Sequence, residues 1–233
     1  MKKIILPFLF VLSIVACKNT ENENTSSEMD TETTEVTTSN EKEGIGKTIA
    51  MANGLDKFEK AEEIEFTFNV KIQDSLRSSR HWKWNRKTNE ISLTEGDTTL
   101  SYTKNDSIPQ DKKDIDQKFI NDSYWLLFPY QLVWSDAKLT EEKEVAAPIS
   151  GDTLSKLEVA YSNDGGYTPG DTYDIYYGND NMIKEWVYKA AAGDRQMATT
   201  WEDYEEFMSI PIAKMHKSED GSFQLYFTDI VIK

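Results

Sequence analysis

The sequence predicts an α+β domain, mainly β, in which a long, curved and mostly antiparallel sheet carries an N-terminal helix and a central helical insertion. Three observations predict it. Apolar and polar residues alternate from Ile64 to Ile72, further short strand-like runs follow behind polar turns, and residues 111–130 alone revert to helical spacing.

In chain order, residues 47–61 place Ile49, Leu55 and Phe58 on one stripe with charges elsewhere, the pattern of a surface helix. Ile64, Phe66, Phe68, Val70 and Ile72 then share one strand face, while Glu65, Thr67, Asn69 and Lys71 form a wet outer face. Strands over 79–87, 90–95 and 98–104 are divided by Thr88-Asn89 and Gly96-Asp97, short polar turns that make an antiparallel meander. In the insertion, Ile115, Phe119, Ile120, Leu126 and Leu127 recur at helical spacing. Pro129 ends or bends that element, because it lacks an amide donor and its ring crowds the preceding turn. Strands resume at 154–162, 171–178, 182–190, 196–203 and 222–232, with Gly178-Asn179-Asp180-Asn181 as a turn.

Residues 44–233 thus make one domain, about 190 residues long and large enough for a real core. The segments before it differ in kind. Residues 1–16 have the layout of an export signal: Lys2 and Lys3, then a mainly apolar run of thirteen residues from Ile4 to Ala16. That run is short of the ~20 residues needed to span a bilayer as a helix. Ile14-Val15-Ala16-Cys17 resembles the lipobox of bacterial lipoproteins, which implies cleavage before Cys17 and acylation of Cys17, with palmitate as a typical acyl group. Cys17 is the only cysteine, so an internal disulfide is ruled out. Residues 17–43 read as a lipidated cysteine followed by a disordered acidic tether: Asn, Thr, Ser and Glu dominate, with Met29 and Val36 the only large apolar residues after Cys17. Such a coil reaches ~28 Å, which holds a domain clear of a bilayer.

Removing Lys2 and Lys3 from the 26 basic residues leaves 24 against 41 acidic ones, a formal charge of −17. That balance repels nucleic acid and anionic lipid surfaces, so membrane attachment is assigned to the acyl chains and no nucleic-acid partner is expected. Nothing in the sequence points beyond a monomer. Lys18 after the cysteine does not resemble the Asp-type signal for inner-membrane retention, which favours the outer membrane; its periplasmic face and the cell surface both stay open.

Aromatic residues are the candidates for a binding site. Trp82 and Trp84 lie two apart and share a strand face, Trp125, Phe128, Tyr130 and Trp134 cluster around the insertion, Tyr173 and Tyr177 share a face with Ile175, and Trp186 and Tyr188 share another. These rings either fill the core or line a cavity, and the sequence leaves both open.

The segments Tyr124-Trp125-Leu126-Leu127-Phe128-Pro129-Tyr130 and Thr168-Pro169-Gly170-Asp171-Thr172-Tyr173, with Glu185-Trp186-Val187-Tyr188, resemble a family of Bacteroidota envelope lipoproteins. That family is similar to the superfamily of outer-membrane lipoprotein carriers and receptors. The resemblance implies an open half-barrel over residues 44–233 with the helical insertion as a lid. It further implies a cavity for a hydrophobic ligand, such as an acyl chain, lipid or lipoprotein, between sheet and lid. The candidates for its lining are Trp82, Trp84, Trp125, Phe128, Tyr130, Tyr173, Tyr177, Trp186 and Tyr188. No residue matches a functional motif of the carriers, and lipidation is a departure from the soluble carriers that favours a resident or receptor-like role.

Catalytic motifs are scarce. His81 and His216 stand in no metal-ligating spacing and read as exposed side chains; no nucleophile elbow, phosphate loop or dinucleotide fingerprint occurs, although a site assembled from distant residues stays open. An enzyme is therefore not the leading expectation and no catalytic residue is assigned. Asn179-Asp180-Asn181 and Asn163-Asp164-Gly165 carry oxygens that calcium takes, but each is also what a turn demands, and neither a metal nor a cofactor is expected. Asp74-Ser75-Leu76, Asp97-Thr98-Thr99, Asp106-Ser107-Ile108 and Asp152-Thr153-Leu154 resemble the Bacteroidota O-glycosylation sequon, which makes Ser75, Thr98, Ser107 and Thr153 candidate acceptors; loop composition alone also accounts for them. The expectation is thus a hydrophobic-ligand binder of the envelope. The alternatives are a non-catalytic lipoprotein that binds a protein partner and an envelope hydrolase with a nucleophile beside His81 or His216.

Overall fold

A computed structural model describes residues 38–162 and 166–233, with side chains from Gly44 onward. The lipobox, Cys17, most of the tether and Asn163-Asp164-Gly165 lie outside the described residues. Helices α1 (Thr38–Ala52) and α2 (Leu55–Phe58) precede strands β1 (Glu63–Ile72), β2 (Ser75–Asn85), β3 (Glu90–Glu95) and β4 (Thr98–Thr103). Helix α3 (Lys113–Trp134) follows a single 3-10 turn. The chain continues through β5 (Lys138–Ala146), β6 (Thr153–Ala160), β7 (Thr172–Tyr177), β8 (Ile183–Lys189), β9 (Gln196–Thr200), β10 (Glu202–Phe207), β11 (Ile210–Lys217) and β12 (Phe223–Ile232).

The open, curved, mainly β architecture with a helical insertion is the one predicted, but the strands divide between two sheets. One has seven strands in the order β10-β11-β12-β1-β2-β3-β4 and the other five in the order β5-β6-β7-β8-β9; neither closes. β1 sits centrally because the last strand returns to it: Phe68 pairs Phe227, Val70 pairs Leu225 and Ile72 pairs Phe223. The chain passes between the sheets at Trp201, whose N–H donates to the Lys184 carbonyl at 2.7 Å.

The differences from the predicted elements have local causes. The helix expected over 47–61 is broken at Asn53-Gly54. Gly54 takes φ +85, and a Cβ there would lie 3.1 Å from Pro211 Cδ and 3.2 Å from Ile210 Cα, so both the turn and the packing need glycine. The helix also begins earlier, at Thr38, inside the segment read as tether. Of the two outcomes expected at Pro129, α3 is bent and not ended: the kink falls two residues before it, at Leu127, where φ is −115 and ψ 18, and the helix runs on to Trp134. The strand expected over 196–203 is two strands, because Trp201 turns inward at the crossing between sheets. β5 was not predicted: Leu139 is its only buried residue, and its charged sequence marks a sheet edge rather than a buried face. β11 was not predicted either, since Pro211 near its start argues against a strand inside a sheet.

With β11 in place, the expectation that both histidines are exposed is corrected. His81 is partly exposed, but His216 is fully buried beside Ile210 and Ile212 of its own strand. Its ring lies 4.4 Å from Trp201, 5.4 Å from Trp125 and 5.9 Å from Phe227, so α3 and both sheets meet around it. Burial pushes the imidazole pKa down to about 3, and it stays neutral in the fold. The unfolded chain takes up a proton below about pH 6.5, so stability is full above that pH and falls as pH drops toward 3. We predict that His216 accounts for about 2 kcal/mol of the stability lost between pH 7 and pH 5. Denaturant titrations at the two pH values should show a drop in the wild type that His216→Leu lacks, whatever the variant's own stability; equal drops would show that His216 is not held neutral.

Candidate functional site

Helix α3 lies against both sheets, fixed by two buried carboxylates. Asp122 is fully buried and accepts from Arg80 Nε at 2.7 Å, Arg80 Nη2 at 2.7 Å and Trp82 Nε1 at 2.8 Å, all from β2. Its partner Arg80 stacks on the Phe68 ring, 4.8 Å from the centroid. Two turns earlier, Asp116 accepts from Tyr102 Oη at 2.7 Å, Lys104 Nζ at 2.8 Å and Tyr167 Oη at 2.6 Å. Burial acts to raise the Asp116 pKa, but hydrogen bonds from Lys104, Tyr167 and Tyr102 outweigh it and hold the carboxyl below its ordinary value.

Apolar packing completes the attachment. Phe119 meets Trp82 and Trp84 edge-on at 5.3 and 5.5 Å, while Trp125 and Phe128 reach Trp186 at 4.2 and 5.2 Å. Between these anchor points the helix and sheets leave a cavity of about 740 Å³. That volume lies within the range of small-molecule sites. The inner faces of β1, β2 and β12 wall one side through Phe68, Val70, Ser78 and Leu225, and α3 covers it through Ile120, Tyr124 and Trp125. The ends of β7, β8 and β9 supply Tyr173, Trp186, Tyr188 and Met197.

Four of the nine aromatic candidates therefore line the cavity: Trp125, Tyr173, Trp186 and Tyr188. The other five do not. Trp82 and Phe128 are buried in the core, and Trp84 is partly buried against Phe119. Tyr130 packs against Phe58 in a tilted contact at 4.7 Å and donates to the Asn53 carbonyl at 2.7 Å, so it ties α3 to the helical N-terminus. Tyr177 donates to Glu141 on β5. Period-two reasoning finds which residues share a face, but not where along a strand the inner face stops packing and starts to enclose space.

The sequence also missed lining residues. Tyr161, whose hydroxyl accepts from Tyr124 Oη at 3.0 Å, follows β6, and Arg77 and Arg195 belong to irregular backbone that periodicity does not reach. Tyr124 itself stands first in the motif beginning Tyr124-Trp125, and that position was its one signal.

For the hydrolase alternative, the hydroxyl beside His81 among the described residues is that of Thr67. Thr67 Oγ1 lies 2.9 Å from His81 Nδ1, yet it donates its proton to Asp229 Oδ2 at 2.9 Å, and neither Thr67 nor His81 lines the cavity. Around His216 stand aromatic rings and the Thr200 carbonyl. Asp180, in the turn between β7 and β8, accepts from the Met182 N–H and from Lys184, the work of a turn residue. No group of three or more acidic, histidine or cysteine side chains is placed to hold a metal ion among the described residues. Among them, too, no helix is long and apolar enough to cross a membrane. Ser75, Thr98, Ser107 and Thr153 are all exposed.

In sequence the chain matches no protein-family description and no curated protein. Its fold is similar to three solved bacterial structures. A DUF1329 family protein from Desulfovibrio piger is 9% identical with TM-score 0.45, over 81% of this chain and 93% of that one. A LolA superfamily protein from Nitrosomonas europaea is 9% identical with TM-score 0.46, over 81% and 93%. A putative outer membrane lipoprotein-sorting protein domain from Vibrio parahaemolyticus is 10% identical with TM-score 0.45, over 82% and 92%. The likeness is one of element arrangement.

The Asp122 contacts yield a prediction. Asp122→Ala strands the Arg80 guanidinium and the Trp82 indole N–H, and should cost about 3–5 kcal/mol in denaturant unfolding. Adding Arg80→Met should recover part of that loss; a single-variant cost under about 1 kcal/mol would show that the ion pair does not hold α3 in place.

Proposed function

We propose that this chain binds a hydrophobic molecule bearing acyl chains, a lipid or the lipid part of a lipoprotein, in the cavity beneath α3. It does so at the outer membrane as a monomer anchored through acyl groups on Cys17. The observation that carries the reading is the cavity itself: about 740 Å³, walled by Phe68, Val70, Tyr124, Tyr173, Trp186 and Leu225, and covered by a helix held at defined points. A space with walls of this kind favours apolar ligands, because filling it removes apolar surface from water on both sides. The anchor rests on the lipobox pattern, and the acidic charge of the mature chain supports attachment through acyl groups rather than through basic side chains. Ser75, Thr98, Ser107 and Thr153, exposed at strand starts and in a loop, are proposed as O-glycan acceptors of an envelope protein.

Two measurements test the reading. Mass spectrometry of organic extracts from the purified full chain should find a co-purifying acylated molecule. Ile120→Asp, which places a charge on the cavity wall, should lower its yield about tenfold or more at an unchanged melting temperature. Equal yields from both proteins would sink the cavity reading. Separately, palmitate fed to expressing bacteria should label the wild type and not Cys17→Ser, with the variant leaving the membrane fraction; a variant that stays labelled would remove the anchor.

A further inference from the structure

Arginine is scarce in this chain. The 26 basic residues comprise 22 lysines and four arginines, and three of the four arginines, Arg77, Arg80 and Arg195, line the cavity under α3. The fourth, Arg86, donates to the carbonyls of Phe58 and Ala61. Lysines serve the surface ion pairs, such as Lys83 with Glu65 and Lys214 with Glu205. The distinction is chemical: a guanidinium is weakly hydrated and presents a planar fork that fits a carboxylate or phosphate, whereas an ammonium is a strongly hydrated point charge.

Arg80 is engaged by Asp122, but Arg77 and Arg195 have no carboxylate within ion-pairing distance among the described residues. Each is nonetheless positioned. Arg195 lies over the Tyr188 ring, 5.3 Å from its centroid, and donates to the Tyr188 hydroxyl at 3.2 Å. Arg77 occupies a β-bulge: Val70 pairs Ser78 while Lys71 pairs Leu76, so Arg77 is the extra residue of β2. In a regular strand Arg77 would face away from its neighbour Ser78; the bulge lets both line the same cavity. Two carboxylates also line it, and neither pairs with these arginines: Asp136 is exposed, and Asp171 is buried with Oδ1 accepting the Ala191 N–H at 2.9 Å. In a strongly acidic chain, two exposed guanidinium groups thus line a mainly apolar cavity, and neither pairs with a carboxylate among the described residues.

We infer that the ligand is an amphiphile with an anionic head, a carboxylate or a phosphate, that Arg77 and Arg195 bind while its acyl portion lies against the aromatic wall. This inference rests on the cavity reading given above. The test is equilibrium binding by the purified full chain of two matched pairs, palmitate against monopalmitoylglycerol and dipalmitoylphosphatidylglycerol against dipalmitoylglycerol, with inorganic phosphate as a separate probe. In at least one pair the anionic member should bind about tenfold or more tightly than its neutral match, and that pair identifies the head. In Arg77→Gln/Arg195→Gln the preference should fall to about twofold or less, with neutral-lipid affinity unchanged. Equal affinities within both pairs would overturn the anionic head while leaving a hydrophobic site intact. Failure of all four lipids to bind would overturn both readings. A preference that survives in the variant, or a variant that loses neutral and anionic lipids alike, would overturn the role of these arginines. Inorganic phosphate binding as tightly as the lipids would overturn the amphiphile.

Discussion

The buried carboxylate of Asp122 joins the two parts of the molecule whose separation makes a site. It accepts three hydrogen bonds from β2, two from Arg80 and one from Trp82, beside the edge-on contact of Phe119 with Trp82. Apolar contact is non-directional and would let a helix slide toward the densest packing. A bidentate guanidinium–carboxylate pair fixes distance and rotation together, so the helix is held over the sheet rather than pressed fully onto it. Asp116 does the same nearer the start of α3, with partners from the β4 region and from Tyr167.

Beyond those anchors, a single aromatic core joins the two sheets. Trp186 from the five-stranded sheet, Trp201 at the crossing, His216 from the seven-stranded sheet and Trp125 from α3 form a continuous chain of ring contacts between 4.2 and 5.6 Å. Such edge-to-face and tilted contacts contribute about 0.5–1.5 kcal/mol each beyond burial, and they hold the five-stranded sheet against the helix at the cavity's inner end. Trp125 and Trp186 both pack in this chain and line the cavity, so the rigidity of the core extends to the wall of the site.

Along β2 the inner face changes character over a few residues. Trp84, Trp82, Arg80 and Ser78 stand opposite Ile64, Phe66, Phe68 and Val70 of β1, so large rings give way to a guanidinium and then to a hydroxyl. Packing is complete at Trp82, leaves Trp84 partly buried, and opens into the cavity where Arg80 and Ser78 begin. The bulge at Arg77 sits at the open end of this gradient. Polar groups collect where water or a ligand head can reach them, and apolar groups where neither can, which is the arrangement an amphiphilic ligand needs.

Much of the local structure was legible in the sequence because period is a local property. The alternation from Ile64 to Ile72 identified β1, Thr88-Asn89 and Gly96-Asp97 placed β3 and β4, and the spacing from Ile115 to Leu127 identified α3. β5 and β11 were not legible, one being a charged edge and the other carrying Pro211. The aromatic residues were legible as a set, but their division was not: Tyr130 and Tyr177 pack at a distance from the cavity while Tyr173 and Tyr188 line it, although each pair has the same local character. Local pattern and composition were enough for the mainly β class, the helical insertion and the acidic, arginine-poor character. The division of the strands into two sheets, the interior place of His216 and the cavity shared by Arg77 and Arg195 came from long-range contacts. Sheet partners, buried ion pairs and enclosed space each arise from residues far apart in the chain, and no local pattern records which of them meet.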